Sequence, residues 1–188
     1  MKDINLFETE GSLFFRKISS KSDLAENEKC DGYLLDADEK ECRRIIDTLK
    51  SKKKFIAVIG QDNEFNRRAI ETLKINFLVS PERGPKKDSL KQRDSGLNDV
   101  VAKEASNRNI PIVLDLNEIN QTNGKEKALR LSRIIQNIII CRKEECKILI
   151  ANLAENKESI LDEKTRRSFG MSLGMSTAQS KDSTNFSP

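Results

Sequence analysis

Histidine is missing from this 188-residue chain, tryptophan is missing as well, and there is a single tyrosine. Without an imidazole, Ser-His-Asp triads, HExxH zinc sites and the histidine-rich metal clusters of barrel phosphoesterases are excluded, because each needs that ring as base or ligand. The four cysteines, Cys30, Cys42, Cys141 and Cys146, form no CxxC pair, and no apolar signal segment precedes them. Reduced thiols in a cytoplasmic protein are the expectation. A zinc site made from all four runs against the place of Cys42 on the apolar stripe of a helix. No apolar run approaches the roughly 20 residues needed to span a bilayer, so no membrane partner is expected. GxGxxG, GxxxxGK[ST] and GxSxG are all absent, which leaves nucleotide cradles and serine-hydrolase elbows without support.

What is present is charge. Charged residues make up 34% of the chain against 36% apolar, a higher share than the roughly 25% of an ordinary soluble domain. Such a surface suits a charged partner, although thermal adaptation or solubility would look the same. The net charge is only +4, so nucleic-acid binding would have to come from local clusters and not from an overall basic field. The length fits about one domain, able to bury roughly 70% of the surface of its unfolded chain.

From about Gly32 onward, short apolar runs alternate with amphipathic helical stretches, the pattern of an α/β fold with parallel strands. Tyr33-Leu34-Leu35 reads as a strand, followed by a helix with Cys42, Ile45, Ile46 and Leu49 on one face. Phe55 to Ile59 is the next strand, ended by Gly60, and Asp62 can cap a helix that buries Phe65, Ala69, Ile70 and Leu73. Strand Phe77 to Val79 is followed by a helix from about Ser95 with Leu97, Val100, Val101 and Ala105 inward, and then by strand Ile110 to Leu116. The longest helix carries Ala128, Leu131, Ile134, Ile135, Ile138 and Cys141 as its core stripe, and strand Lys147 to Asn152 follows. A short final helix is expected around Thr165 to Leu173. Ile4 to Phe7 and Leu13 to Ile18 bring the strand count to about seven, compatible with a closed or nearly closed β/α barrel or with an open doubly wound sheet. The expected organisation is one domain over residues 1–175 and a disordered tail over 176–188.

In either architecture, ligand-binding loops follow the strand ends, here Gly60 to Glu64, Ser80 to Arg93, Asn117 to Asn123 and Asn152 to Lys164. The second of these is the most basic. Between Pro81 and Arg93 it carries Arg83, Lys86, Lys87, Lys91 and Arg93 against Glu82 and Asp88. It closes on Asp94 or Ser95 as a helix cap, with Gly96 allowing close backbone approach. Cations beside unpaired backbone N–H groups suit phosphate; the alternative is a solvated loop with an ordinary cap. Arg67 and Arg68, one turn into their helix, would extend the same surface, or pair with carboxylates such as Glu71. The basic face of the long helix, Lys125, Lys127, Arg130 and Arg133, is a second candidate surface, or more simply a solvated side on which Glu126 pairs with Arg130.

Four stretches resemble a known family. They are Asn66-Arg67-Arg68-Ala69, Leu78-Val79-Ser80-Pro81-Glu82-Arg83-Gly84, Arg93-Asp94-Ser95-Gly96-Leu97-Asn98, and Ser168-Phe169-Gly170-Met171-Ser172-Leu173-Gly174-Met175. In order and spacing they resemble archaeal and eukaryotic ribonuclease P protein component 3, the counterpart of the thirty-kilodalton subunit of the eukaryotic enzyme. The match runs from about Phe55 to Met175. Family members pass almost directly from the Pro-Glu-Arg/Lys-Gly turn into Arg-Asp-Ser-Gly, whereas this chain inserts Pro85 to Gln92. The N-terminal third matches poorly.

The resemblance implies a TIM-like barrel of the PHP type, lacking that group's metal site. It implies a non-catalytic protein subunit of the ribonucleoprotein endonuclease that removes the 5′ leader from precursor tRNA. No cofactor is expected on this chain, since the resemblance places magnesium on the catalytic RNA. The implied partners are ribonuclease P RNA, precursor tRNA as substrate of the holoenzyme, protein component 2 directly, and components 1 and 4 in the same complex. The expected RNA-binding set is Arg67, Arg68, Arg83, Lys86, Lys87, Lys91, Arg93, Ser95 and Gly96, making phosphate contacts that supply position and not sequence readout. With no aromatics interleaved in the basic loop, base stacking is not expected. Two rivals stand beside this reading. One is a stand-alone carboxylate-dependent barrel metallohydrolase using Asp115 and Glu118; the other is a scaffold that contacts only protein subunits.

Overall fold

Most strands of this protein are buried on both faces, and their alternate residues go to two different cores. In the computed structural model, which describes residues 3–24, 29–84, 88 and 93–186, Leu34, Ala57, Ile59, Phe77, Val79, Val113, Leu149 and Ala151 share an inner cluster. Their strand neighbours Tyr33, Leu35, Ile56, Val58, Leu78, Ile112, Leu114, Ile148 and Ile150 face outward into a second, larger cluster built with the helices. The two-residue period of a strand makes this division.

Among the described residues there are seven strands: β1 (Ile4–Asn5), β2 (Leu13–Ile18), β3 (Gly32–Leu35), β4 (Phe55–Ile59), β5 (Phe77–Val79), β6 (Ile112–Asp115) and β7 (Ile148–Ala151). All are parallel, and their order in the sheet is their order in the chain. A doubly wound sheet would reverse direction at a switch point, so the monotonic order selects the barrel. The outer helices are α1 (Glu39–Leu49), α2 (Asn63–Thr72), α3 (Asp99–Asn107), α4 (Leu116–Gln121), α5 (Gly124–Lys143), α6 (Glu163–Ser172) and α7 (Thr177–Asp182). Among the described residues, no helix is long and apolar enough to cross a membrane.

The seam between β7 and β1 is closed in two ways. Past the end of β7, the Leu153 N–H donates to Ile4 O at 2.9 Å and the Leu6 N–H to Ala154 O at 2.8 Å. Further upstream the gap is filled by the C-terminal chain, where the Ile150 N–H donates to Ser183 O at 2.7 Å. Arg166 of α6 fastens the same seam from outside, donating to the Asp3 carboxylate at 2.9 Å and to Ile150 O at 2.8 Å. Phe186 then enters the barrel interior, its ring centroid 6.5 Å from that of Phe77, which in turn meets Phe15 and Phe55. Gly32 makes room for this aromatic group, since a Cβ there would lie 2.7 Å from the Phe15 ring and 2.6 Å from Phe55 O.

From Ser176 to Phe186 the chain is therefore not the disordered tail expected from its polarity. Ser176 and Gln179 form a capping box that starts α7, and Ser183 and Phe186 find partners that exist only once the barrel is formed. Three further expectations are corrected. The loop expected over Asn117 to Asn123 is largely α4, started by the Asp115 carboxylate accepting from the Glu118 N–H at 3.0 Å. Helix α3 begins at Asp99 with Asn98 as its cap, so neither Asp94 nor Ser95 plays that part; Val100 is 70% exposed and Ala102 takes its place inside. On α5, Ala128 and Ile135 face out while Asn137 and Ile140 are buried, because the Asn137 amide is drawn inward to donate to Ser95 O at 3.0 Å.

Replacing Phe186 with alanine removes a buried ring from the barrel interior and is expected to cost about 3 kcal/mol or more. Urea unfolding followed by circular dichroism measures it, and an unchanged midpoint would show that the C-terminal chain is not part of the fold.

Candidate nucleic-acid interface at the strand-end face

The segments leaving β4 and β5 touch backbone to backbone. A Cβ on Gly60 would lie 2.5 Å from Pro81 Cα, and one on Gly84, where φ is +82°, would lie 2.9 Å from the carbonyl carbon of Gln61. The two turns are held by one buried amide. Asn66, on the inner side of α2, accepts from the Gln61 N–H at 2.8 Å and donates to Pro81 O at 2.9 Å and to Gly96 O at 3.1 Å. Three of the stretches behind the family resemblance meet at this side chain.

Beside it lies a chain of charges across the barrel mouth. Arg130 of α5, largely buried, donates to Glu82 at 3.1 Å, Glu118 at 2.8 Å and Ser80 Oγ at 3.1 Å. Glu118 also holds Arg83 at 3.1 Å; Arg83 holds Asp36 at 3.1 Å, and Asp36 holds Lys17 at 3.1 Å. Burial pushes the Glu82 carboxyl upward against the pull of Arg130, and its Oε2 has no partner among the described residues. Asp115 is raised from its ordinary 3.8 to about 7, first by burial and then by the nearby charges of Glu118 and Glu82, despite its helix-capping bond. For Asp36 burial acts the same way, but Lys17 and Arg83 outweigh it and hold the carboxyl below its ordinary range.

Arg130 thus does not pair with Glu126 on a solvated face, as its spacing suggested. The carboxylates of Glu82 and Glu118 take it instead, because the mouth brings two acids to a partly buried cation that water cannot satisfy. Of that basic face, Arg133 reaches Asp88 at 3.1 Å. Asp88 also accepts from the Asp94 N–H at 2.9 Å and pairs with Arg93 at 3.3 Å, so it anchors the middle of the inserted segment to α5.

The expected RNA-binding residues divide into three groups. Arg67, Arg68, Arg83 and Arg93 stand on the strand-end side of the barrel, each in an ion pair: Arg67 with Glu71 at 2.7 Å, Arg68 with Glu64 at 2.7 Å and Glu39 at 2.6 Å, Arg83 and Arg93 as above. Ser95 and Gly96 are buried, with the Ser95 hydroxyl donating to Leu97 O at 3.3 Å and Gly96 at φ +81°. Burial takes both out of the contacting set and makes them part of the scaffold. Lys86, Lys87 and Lys91 lie outside the described residues. Asn66, Asn137, Ser80 and Glu82 received no site role from sequence; the available signal was an asparagine sitting on the apolar stripe of its helix, once in α2 and once in α5. Among the described residues no group of three or more Cys, Asp or Glu is disposed to hold a metal.

No family model matches the chain. Ribonuclease P protein component 3 of Methanocaldococcus jannaschii is 29% identical over 130 residues, covering 69% of this chain and 53% of that protein. The protein of the same name from Thermococcus gammatolerans is 30% identical over 146 residues, covering 77% of this chain and 64% of its own length. This chain thus spans between about half and just under two thirds of these relatives. A chain in the cryo-EM structure of archaeal ribonuclease P with mature tRNA matches with a TM-score of 0.75 at 22% identity, over 97% of this chain and 86% of that one. An amidohydrolase crystal structure matches with a TM-score of 0.57 at 11% identity, over 84% of this chain and 41% of that one. Both share the barrel fold.

Asn66→Ala leaves Pro81 O, Gly96 O and the Gln61 N–H without their partner, each at a cost of about 1–3 kcal/mol if buried and unsatisfied. A large drop in the urea midpoint is expected, whereas Arg67→Ala leaves it near wild type. Asp115 supplies a pH test. Its carboxyl is raised in the folded protein, so its contribution to stability is complete below the ordinary 3.8 and is lost as pH rises through about 7. Asp115→Asn keeps an acceptor for the cap and should gain stability relative to wild type across that window; parallel pH profiles for the two proteins would refute it.

Proposed function

We propose that this relative of ribonuclease P protein component 3 is a non-catalytic subunit of ribonuclease P, the ribonucleoprotein that removes the 5′ leader of precursor tRNA. Its task is to bind and steady the catalytic RNA. The observation that carries the reading is the sequence similarity to component 3 proteins over more than two thirds of this chain, together with a barrel that matches a chain of archaeal ribonuclease P nearly end to end.

The chemistry of the mouth agrees with a subunit that leaves hydrolysis to the RNA and its magnesium. The carboxylates that a metallohydrolase would use are committed elsewhere: Asp115 caps α4, and Glu118 is held by Arg83 and Arg130. The chain has no imidazole to replace them. Within the holoenzyme, Arg67, Arg68, Arg83 and Arg93 would meet phosphate by exchanging a carboxylate partner for it, which weakens each contact. Lys86, Lys87 and Lys91 supply the remaining cations of the loop. Such contacts position RNA without reading bases. The partners under this proposal are the catalytic RNA, precursor tRNA as holoenzyme substrate, component 2 directly, and components 1 and 4; the compartment is the cytoplasm.

Replacing Lys86, Lys87 and Lys91 together with alanine should weaken binding to ribonuclease P RNA. The log–log salt dependence should flatten by up to about 0.7–0.9 for each phosphate that is no longer neutralised. Filter binding between 50 and 300 mM salt reads this, and an unchanged slope removes those lysines from the interface. RNA footprints that do not change when the subunit is added would leave only the protein-scaffold role.

A further inference from the structure

The strand-start end of the barrel, opposite the mouth, gathers lysines from three neighbouring chain segments. The turn between α1 and β4 supplies Lys50, Lys52, Lys53 and Lys54, the turn between α2 and β5 supplies Lys74, and Lys29 precedes β3. Because β3, β4 and β5 are consecutive in the sheet, their starting points fall within about 10 Å of one another. Contacts join the segments. Lys54 Nζ donates to Cys30 O, beside Lys29, and Arg43 of α1 donates to Thr72 Oγ1 at 2.6 Å, at the end of α2. Lys50, Lys74 and Asp47 line one shallow recess, and the Asp47 carboxyl is held low first by Lys50 and, more weakly, by Arg43 and Lys74.

The balance of charge here differs from that at the mouth. Six lysines face two described carboxylates, Asp31 and Asp47; Asp47 is engaged by Lys50 at 2.6 Å, and the Asp31 carboxylate accepts from the Phe14 N–H at 2.8 Å. Among the described residues, Lys29, Lys52, Lys53 and Lys74 are exposed and make no ion pair, whereas every described cation of the expected RNA-binding set is paired. Like charges crowded without counter-ions repel one another, and a polyanion relieves that repulsion while releasing its own counter-ions.

We propose that Lys29, Lys52, Lys53 and Lys74 form a second phosphate-backbone contact for structured RNA, so that the barrel touches RNA at both of its ends. The inference rests on the ribonuclease P reading and deepens it by naming a second surface. An anionic membrane is the other polyanion such a patch can meet. Membrane-surface binding normally adds apolar anchors, yet the exposed large apolar side chains, Val100, Ile135, Ile139 and Met171, lie on α3, α5 and α6, away from these turns.

The test compares four full-length proteins: wild type, Lys52→Ala/Lys53→Ala/Lys74→Ala, Lys86→Ala/Lys87→Ala/Lys91→Ala, and the two sets combined. Each is titrated against ribonuclease P RNA over a range of salt, with a thermal melt to confirm folding. The strand-start triple variant should lower the salt slope by up to about 0.7–0.9 per lysine, and its effect should add to that of the loop variant. A strand-start variant with the wild-type slope, beside a loop variant that flattens it, overturns this inference and leaves the proposed function standing. Wild-type protein that fails to bind the RNA at all overturns the proposed function, and this inference with it. Loss of retention on phosphatidylserine vesicles with RNA binding unchanged assigns the patch to a membrane and overturns the proposal.

Discussion

A guanidinium that is almost out of water sits at the centre of this structure. Arg130 reaches from the long helix into the barrel mouth, where Glu82, Glu118 and the Ser80 hydroxyl surround it. A charge that far from solvent is tolerated only if every direction offers a partner, and removing one partner leaves the others uncompensated. The turn after β5, the start of α4 and the side of α5 are consequently fixed relative to one another. The mouth of the barrel is a braced surface, with Asp36, Arg83 and Lys17 extending the brace to the ends of β2 and β3.

Asn66 does for the neighbouring turns what Arg130 does for the charges. One primary amide meets the turn after β4, the turn after β5 and the segment before α3, and a second, that of Asn137, secures Ser95 from the other side. The motifs that connect this chain to component 3 proteins are therefore, for a large part, motifs of internal support. Asn66, Ser80, Glu82 and Ser95 are buried, whereas the side chains of Arg67, Arg83 and Arg93 beside them reach solvent. The pairing of Arg67 with Glu71 and the cap at Asp62 follow from local spacing alone, and both are present.

Two kinds of basic surface coexist on one small barrel. At the strand ends Arg67, Arg68, Arg83, Arg93, Arg130 and Arg133 are paired with acids, which gives them defined positions and lowers what each can offer to phosphate. At the strand starts Lys29, Lys52, Lys53 and Lys74 make no ion pair among the described residues and are crowded. For a chain that lacks histidine and whose mouth carboxylates are engaged by arginines and a helix cap, positive charge at two ends fits the proposed bracing of a large polyanion better than turnover of a small substrate.

The strands, the inward-facing residues of α1 and α2, and the placing of the basic loop after β5 were all readable from the chain, because they rest on short-range periodicity. The choice between barrel and open sheet was not, since strand order is a property of pairing between segments far apart in sequence. The same limit explains the C-terminal segment, which reads as polar and unpatterned until the gap beside β7 exists to receive Ser183 and Phe186. It also explains Arg130, whose spacing to Glu126 favoured a surface pair while two acids more than ten residues away in sequence claimed it. Local sequence determined the strands and the apolar faces of α1 and α2. Tertiary structure alone decided which buried polar groups meet, because a buried charge or amide takes whatever partner the fold brings within hydrogen-bond reach.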